Sequence, residues 1–490
     1  MITPFETQSI PGPVASAWHR ATAAVLLLLS CLSSSASERA ALPKIRVASS
    51  GDHFESELGQ AFAPFGVTYY RPGTGWAPQV WKQFDAEATR RDFTRLKAQG
   101  VNCARVFLTY GSFLTPTGEL NPDGLDKFER FLAIAEAAGI YAHPTGPDHW
   151  EGLPDWAHTD RYADEKVLGA LEHFWKSFAA RYRGRHGIFA YDLLNEPEIG
   201  WDSPAMRPKW RRWLAGKYAS DAQLQAAWHN PAARLEAPPM PEKKDAAGSV
   251  FLLDYQHFRE SLADDWTRRQ VSAIRAADPE ALVTIGLIQW AVPSLLPGVA
   301  HYAGFRPQKQ APYLDFLTVH FYPLEHGVYE YRGDDEELRN LAYLQSVVRA
   351  TAQPGKPLII GEFGWYGGGQ PKFDNHQHPF ASEEQQARWC RRVVETTAPI
   401  VTGWLNWGFY DQPEATDASE FTGLFTSDGK EKAWGRDFQR LAASWRFKPP
   451  SGTQRLAWPI LDWDACLTCT ETANQYRQQC IEAVRRHPLD

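Results

Sequence analysis

Eight short apolar segments, separated by amphipathic helical patterns, constrain the fold of this chain more than any other feature of its sequence. The helical patterns have apolar residues at i, i+3 and i+4, as in residues 126–139 and 383–397. Nearly continuous apolar strands that alternate with helices are typical of a parallel sheet covered by those helices. The eight segments are 64–70, 101–108, 140–146, 188–196, 282–289, 316–323, 357–365 and 401–410.

This number of segments predicts an α/β fold, a (β/α)8 TIM barrel. A doubly wound sheet is the alternative, but no G-x-G-x-x-G follows the first segment and no G-x-x-x-x-G-K-[ST] occurs in the chain. The fourth segment ends at residue 196 and the fifth begins only at residue 282. We therefore expect an insertion after strand four, with an extended loop and helices above the barrel mouth and then a long helix around 250–277.

The N-terminal region has the pattern of an export signal. An apolar run at residues 21–31 follows His19 and Arg20 and precedes a series of small residues. A basic flank, an apolar stretch too short to span a bilayer and a small-residue exit are typical of a signal peptide. Cleavage near Ala36 would give a secreted or periplasmic protein, whereas a lipid on Cys31 would give a membrane-attached lipoprotein. A retained anchor helix is the less favoured alternative.

Composition changes also mark the other boundaries of the chain. The stretch KPPSGTQ, which begins at Lys448, is typical of a linker, and a small cysteine-containing segment follows it. We predict four parts: a signal peptide or lipoprotein leader at 1–36, an N-terminal linker at 37–61, the barrel at 62–447 and a C-terminal appendage at 448–490.

The six cysteines predict thiols in different settings. Cys103 falls in a predicted strand and Cys390 in a predicted helix, so we expect both to be buried. Three others cluster near the C-terminus, where a zinc site would need His487 as its fourth ligand. In an exported protein a disulfide is a better prediction than a metal, with the pairing open and one cysteine left over. This cluster consists of Cys466, Cys469 and Cys480.

Charge and aromatic content limit the class of partner. The 490 residues include 51 basic and 58 acidic ones, a net charge of −7, so the chain has no basic excess with which to bind nucleic acid. Its 20 tryptophans are unusual. Their flat apolar faces suit sugar rings, and core packing is an equal alternative for each of them. Five follow predicted strands: Trp150, Trp156, Trp201, Trp290 and Trp365.

Two carboxylates mark the expected functional end of the barrel. In a parallel barrel, function collects where the strands end. The fourth segment ends in Asn195-Glu196-Pro197 and the seventh contains Glu362 after an apolar run. Two carboxylates that face each other across a barrel mouth are what glycosidic cleavage requires, because one protonates the leaving oxygen and the other attacks or activates water.

Other strand ends supply supporting groups. They are Arg105 on the second strand, His320 and Tyr322 on the sixth and Trp407 on the eighth. A cation and a hydroxyl beside one carboxylate favour its charged form. The second carboxylate must keep its proton near neutral pH, so it needs burial or a like charge nearby.

These motifs resemble the retaining glycoside hydrolases of clan A, most closely family 5, which contains cellulases and mannanases. The resemblance covers about residues 62–445 and rests on GVTYY, GVNCARVF, NEP, HFY, IIGEFG and WLNWGFYD. It implies that Glu196 is the acid/base and Glu362 the nucleophile. It also implies that Asn195 binds the sugar 2-hydroxyl, and that His320 and Tyr322 position the two carboxylates.

The family also has a histidine after the third strand, and this chain offers two candidates, His143 and His149. We take His149 as the substrate-binding one, together with Arg105 and Trp407. The chemistry needs neither a metal nor an organic cofactor. The nearby pair His376 and His378 is most simply a polar loop.

The expected function is that of a secreted retaining β-glycosidase that hydrolyses an oligosaccharide or polysaccharide, either a glucan or a mannan. Two alternatives stay open. An insertion that closes one end of the cleft would make the enzyme an exo-acting β-mannosidase or β-galactosidase. A surface lipoprotein that binds glycan without cleaving it would use the same groove but would not need both carboxylates.

Overall fold

Eight parallel strands close into a barrel in the computed structural model, which describes residues 41–74, 79–150, 152–294, 299–325, 327–372, 378–445 and 458–486. Each strand overlaps one of the eight predicted apolar segments, and only β5 and β6 run one or two residues past theirs. The predicted (β/α)8 barrel is therefore confirmed. Around the barrel, each strand pairs with its sequence neighbours and the last pairs with the first. The strands are β4 (Phe65–Thr68), β5 (Cys103–Thr109), β6 (Tyr141–Asp148), β7 (Tyr191–Asn195), β8 (Val283–Leu287), β9 (Leu317–Phe321), β10 (Leu358–Phe363) and β11 (Gly403–Asn406).

A three-stranded antiparallel sheet covers the N-terminal end of the barrel, in a region predicted to be a linker. Phe54 lies edge-on against Phe189 and Phe316, with ring centroids 5.2 and 5.0 Å away, and so seals the barrel floor. This cover leaves the C-terminal ends of the strands as the open face. The sheet consists of β1 (Ile45–Val47), β2 (Phe54–Ser56) and β3 (Ala61–Phe62).

Helices between the strands form the outer layer, and local signals set their ends. Ser382 and Gln385 form a capping box, so one helix begins at Glu383 as the pattern predicts. Gly139, with φ of 78°, ends another in the left-handed conformation. The helices before the insertion are α1 (Gln79–Lys82), α2 (Ala86–Ala98), α3 (Tyr110–Phe113), α4 (Pro122–Ala138) and α5 (Glu165–Tyr182).

The insertion after β7 contains two short helices and then a long one, as expected. They are α6 (Met206–Lys217), α7 (Asp221–Trp228) and α8 (Val250–Ala277). Trp210 on α6 is fully buried against Tyr255 and Phe258 of α8. This packing fixes α6 to α8, which in turn packs along α5 of the outer helical layer.

The remaining helices are α9 (Pro307–Gln310), α10 (Asp334–Ala352), α11 (Glu383–Thr397), α12 (Ala433–Ser444), α13 (Trp463–Cys466) and α14 (Thr470–Arg486). The last two form the C-terminal segment, and α14 packs along α10. Within the described residues, no helix is both long and apolar enough to cross a membrane. The predicted leader with Cys31, the linker after Lys448 and His376 lie outside the described residues.

The predicted C-terminal disulfide is wrong for this structure, since all three clustered cysteines have free thiols. Their environments explain this. Cys469 precedes α14 and its sulfur bonds to Thr472 in the first turn, while Cys480 is buried beside Tyr476 farther along the helix. Cys103 and Cys390 are buried thiols, as predicted.

Candidate active site

The two predicted carboxylates lie together at the open end of the barrel. Glu196 directly follows β7 and Glu362 lies near the end of β10. One oxygen of each carboxyl group lies within 4.8 Å of the other. His320 of β9 lies beside both, with Nδ1 3.1 Å from Glu196 Oε1 and 3.5 Å from Glu362 Oε1. The sequence-predicted pair therefore shares one site.

Glu362 is held from two sides. Arg105 donates from Nη1 to its Oε1 at 2.5 Å, and the Tyr322 hydroxyl donates to its Oε2 at 2.9 Å. Arg105 and Glu362 are both buried. Arg105 thus contacts the predicted nucleophile directly.

A second buried carboxylate, which the sequence reading missed, holds the other side of Arg105. Asp192 Oδ2 accepts from Nε at 3.2 Å and from Nη2 at 3.1 Å. Thr145 donates to the same oxygen at 3.0 Å, and the Gly286 N–H donates to Oδ1 at 2.7 Å. A signal for this residue exists in the sequence, because a lone aspartate in a buried apolar strand needs a buried cation or donors.

Asn195 is the last residue of β7, and its Oδ1 accepts from Arg105 Nη2 at 2.8 Å. This bond orients the amide. No residue in the described ranges accepts a hydrogen bond from its Nδ2. The next residue, Glu196, has φ of 44°, a left-handed conformation that is rare outside glycine. Such a local strain is typical of functional sites.

The surroundings treat the two carboxyl groups differently. Burial raises the pKa of Glu196 to about 7, with Arg105 opposing this effect and Glu198 and Asp148 adding to it. Burial also raises the pKa of Glu362, and the Glu196 carboxyl adds to this effect, whereas the Arg105 guanidinium and the Tyr322 hydroxyl oppose it. Since only Glu362 has a guanidinium in direct contact, the proton belongs on Glu196 and the charge on Glu362.

His320 is neutral in this setting, because burial lowers its pKa to about 4. Its ring fits between two strands that carry glycine at the same level. A Cβ on Gly286 would lie 2.8 Å from Nε2, and one on Gly361 would lie 3.0 Å from the same atom. The absence of a side chain at both glycines therefore leaves space for the imidazole, and its Nδ1 is directed at Glu196.

Aromatic side chains form a wall beside Glu362. The Trp407 ring lies 5.5 Å from Tyr70 and 6.0 Å from Phe107, and its Nε1 donates to Ser419 at 2.7 Å. Trp150 and Tyr322 pack against the same cluster. Trp407, expected to contact substrate, thus lies in the site and is mostly buried before any sugar binds.

The two candidate histidines of β6 occupy different places. His143 is fully buried in the barrel floor, where its Nδ1 donates to the Ala190 carbonyl at 2.8 Å. His149 lies just past the strand at the rim, half-exposed, with Nδ1 3.3 Å from Asp148 Oδ1. Of these two histidines, His149 is the exposed one.

The five tryptophans that follow strands divide into two groups. Trp201 and Trp365 are buried, and their Nε1 groups donate to backbone carbonyls of Pro241 and Tyr329. The other three remain partly exposed: Trp150, Trp156 and Trp290. Trp290 also donates to Glu198, two residues after the predicted acid/base.

The same atoms have a spacing that would admit a cation, since Glu196, His320 and Glu362 each place one atom within 4.8 Å of the others. However, Arg105 already pairs with Glu362 at 2.5 Å. Its positive charge would repel a metal ion from that oxygen. The arrangement therefore favours proton transfer over metal binding.

The chain is similar to known fungal proteins. A probable mannan endo-1,4-beta-mannosidase F from Aspergillus flavus is 22% identical over 342 residues, which are 64% of this chain and 61% of the fungal protein. The chain thus spans about three fifths of the length of that relative.

Solved structures share the fold. An exo-beta-1,4-mannosidase from Opitutaceae bacterium strain TAV5 has a TM-score of 0.57 at 18% identity, over 81% of this chain and 62% of that one. A family 5, subfamily 18 protein from Streptomyces cattleya was solved as a variant with Manβ1-4GlcNAc. It has a TM-score of 0.60 at 18% identity, over 86% of this chain and 93% of that one.

The sequence model of one family, cellulase (glycosyl hydrolase family 5), matches residues 60–411. That range begins within β1–β3 and ends beyond β11, so it contains the whole barrel and both carboxylates. The chain belongs to glycoside hydrolase family 5.

Proposed function

We propose that this chain is a retaining β-glycosidase with Glu362 as nucleophile and Glu196 as acid/base. One observation carries the proposal: an oxygen of each carboxyl group lies within 4.8 Å of the other, with His320 beside both. Retaining enzymes place these groups about 5–5.5 Å apart, whereas inverting enzymes leave about 6.5–9.5 Å for a water. The spacing seen here is the shorter one, which leaves no room for a water between Glu362 and the sugar, so Glu362 itself attacks.

In the first step, Glu362 attacks the anomeric carbon while Glu196 gives its proton to the departing oxygen. The glycosidic bond breaks and an ester to Glu362 forms. In the second step, Glu196, now a carboxylate, takes a proton from water, and the resulting hydroxide displaces Glu362 from the sugar. Each step returns Glu196 to the state that the other requires.

A β-mannoside is the substrate that the relatives favour. The fungal relative is named as a mannan endo-1,4-beta-mannosidase, and one structural neighbour is an exo-beta-1,4-mannosidase. Two partly exposed tryptophans near the mouth, Trp150 and Trp290, offer flat faces for sugar rings. We therefore put β-1,4-mannosides before glucans and galactosides.

The test is hydrolysis of aryl β-mannoside, β-glucoside and β-galactoside, of manno-oligosaccharides and of mannan and glucan polymers by the purified protein, beside Glu362→Gln. We expect the fastest turnover on a mannoside, with the β-anomer formed first, and no turnover by Glu362→Gln. Inversion of configuration would contradict the proposed mechanism. Binding of glycan without turnover of any of these substrates would favour the binding-protein alternative.

Product length distinguishes endo from exo action. Chain-end action releases one small product throughout the reaction, whereas internal cleavage first yields a range of oligosaccharides. Export is part of the same proposal, because the leader pattern at 1–36 predicts a secreted or periplasmic protein. Cell fractionation with N-terminal sequencing tests it, and acyl labelling that depends on Cys31 would identify a lipoprotein.

A further inference from the structure

Two carboxylates share one guanidinium at the floor of the site. Arg105 donates from Nη1 to Glu362, and from both Nε and Nη2 to Asp192. Arg105 and Asp192 are fully buried and Glu362 is 3% exposed. In such a place the interaction between charges is strong, because little solvent screens it.

Asp192 has more donors than a structural ion pair requires. Besides Arg105, it accepts from the Thr145 hydroxyl on β6 and from the Gly286 N–H on β8, so both of its oxygens are bonded. These donors come from the strands on either side of β7. An ionised carboxylate accepts on both oxygens in this way. Asp192 is therefore fixed in position independently of Glu362.

We propose that Asp192 is the permanent counter-ion of Arg105 during turnover, while Glu362 alternates between carboxylate and glycosyl ester. This inference rests on the proposed function. When Glu362 becomes an ester, it loses its charge, and Glu196 gains one by giving up its proton. Asp192 then keeps Arg105 in place, so that the guanidinium does not turn towards Glu196.

Asp192 also limits how strongly Arg105 stabilises the Glu362 carboxylate before attack. Part of the positive charge of Arg105 is directed at Asp192. Glu362 is therefore a better nucleophile than it would be if Arg105 paired with it alone. Asp192 does not contact the sugar in this scheme and is a positioning residue. Other titratable groups that face Glu362 are Tyr70, Glu196, His320 and Tyr322.

The sign of a pH shift separates this role from a merely structural one. In Asp192→Asn the whole charge of Arg105 acts on Glu362, which favours the Glu362 carboxylate. The acidic limb of the reaction then moves to lower pH, by about half a unit. If Asp192 served only to hold Arg105 in place, its loss would free Arg105, and the acidic limb would move to higher pH.

The measurement is the pH dependence of inactivation by an activated 2-deoxy-2-fluoro-β-mannoside, with the adduct located by mass spectrometry. An activated leaving group needs little acid assistance, so the rate reports attack by Glu362. We expect a downward shift of the acidic limb and a several-fold slower rate in Asp192→Asn. An unchanged or upward limb in a folded variant overturns the inference. No adduct on Glu362 in the wild-type protein would instead overturn the proposed function.

Two further variants keep the test decisive. Asp192→Glu retains the charge, so the acidic limb of its inactivation rate should lie at the same pH as in the wild type. A downward shift in this variant would overturn the inference, even if Asp192→Asn failed to fold. Thr145→Val removes a neutral donor to Asp192 and no charge. Its limb should also stay in place, which separates loss of charge from loss of packing.

Discussion

At the residue scale, each charged group of the candidate active site is stabilised by a group from another strand. Arg105 on β5 contacts Asp192 and Asn195 on β7 and Glu362 on β10. The residue types and their positions at strand ends predict most of this set. Asp192 was missed because it lies inside an apolar run, where the pattern indicates a core strand and not a site.

In the proposed mechanism, the protonation of Glu196 sets the alkaline limit of activity. Its pKa is raised to about 7, and the mechanism requires its protonated form. We therefore expect kcat/KM on an unactivated substrate to fall as pH rises through about 7. Since the nearby Glu198 charge raises this pKa, Glu198→Gln should move the alkaline limb to lower pH. That shift should shrink in 1 M salt, because Glu198 is exposed and solvent ions screen its charge.

Removal of the acid should depend on the leaving group. Glu196→Ala should slow hydrolysis of an unactivated oligosaccharide by about 10²–10⁴-fold, the usual contribution of general acid catalysis. An aryl glycoside with a good leaving group needs no proton at that oxygen, so bond cleavage should recover in part. The kinetic readout is kcat/KM for both substrates, and wild-type rates on the oligosaccharide would show that Glu196 is not the acid.

At the element scale, strand glycines leave space for catalytic side chains. The His320 ring lies against Gly286 of β8 and Gly361 of β10. Neither glycine has a positive φ, so their role here is steric and not conformational. The sequence shows glycines in these strands, but it does not show which ring occupies the space, because that depends on the register between β8, β9 and β10.

Gly286→Ala should displace His320. The new Cβ would lie 2.8 Å from His320 Nε2 and 3.1 Å from Asp192 Oδ2, in a barrel that has no room to relax. We expect a loss of activity together with about 1–3 kcal/mol of stability, the usual effect of overpacking. Gly169→Ala in α5 is the control, since nothing lies within 4 Å of its Cβ. It should keep activity and gain about 0.4–1 kcal/mol. Denaturation curves and kcat/KM report both.

At the scale of the whole molecule, the C-terminal segment is joined to the active-site face through α10 and the loop after β9. Arg477 of α14 pairs with Glu325 at 3.3 Å, and Arg339 of α10 pairs with the same carboxylate at 3.1 Å. Glu325 is buried and lies three residues after Tyr322, which bonds to Glu362. The cysteine pattern of this segment suggested a disulfide, whereas buried contacts attach it to the barrel.

Arg477→Ala should destabilise the protein more than a matched surface change. It leaves a buried carboxylate with one cation fewer, which costs about 3 kcal/mol. Arg485→Ala on the same helix removes an ion pair with Asp335 in which both side chains are about half-exposed, and should cost less than about 1 kcal/mol. Thermal or urea unfolding measures both. Equal losses would show that the Arg477 pair is no stronger than a surface pair.

The sequence by itself determined the barrel, the eight strands, the long helix of the insertion and the two carboxylates at strand ends. These depend on local periodicity, caps and the rule that parallel strands present their ends on one face. Only the tertiary structure decided which residues form the buried ion pairs and hydrogen bonds of the site. Thr145 and Gly286 hold Asp192 against Arg105 because three neighbouring strands bring them to one level. Contacts between strands depend on the register of those strands and on burial, and the order of residues in a single sequence gives neither.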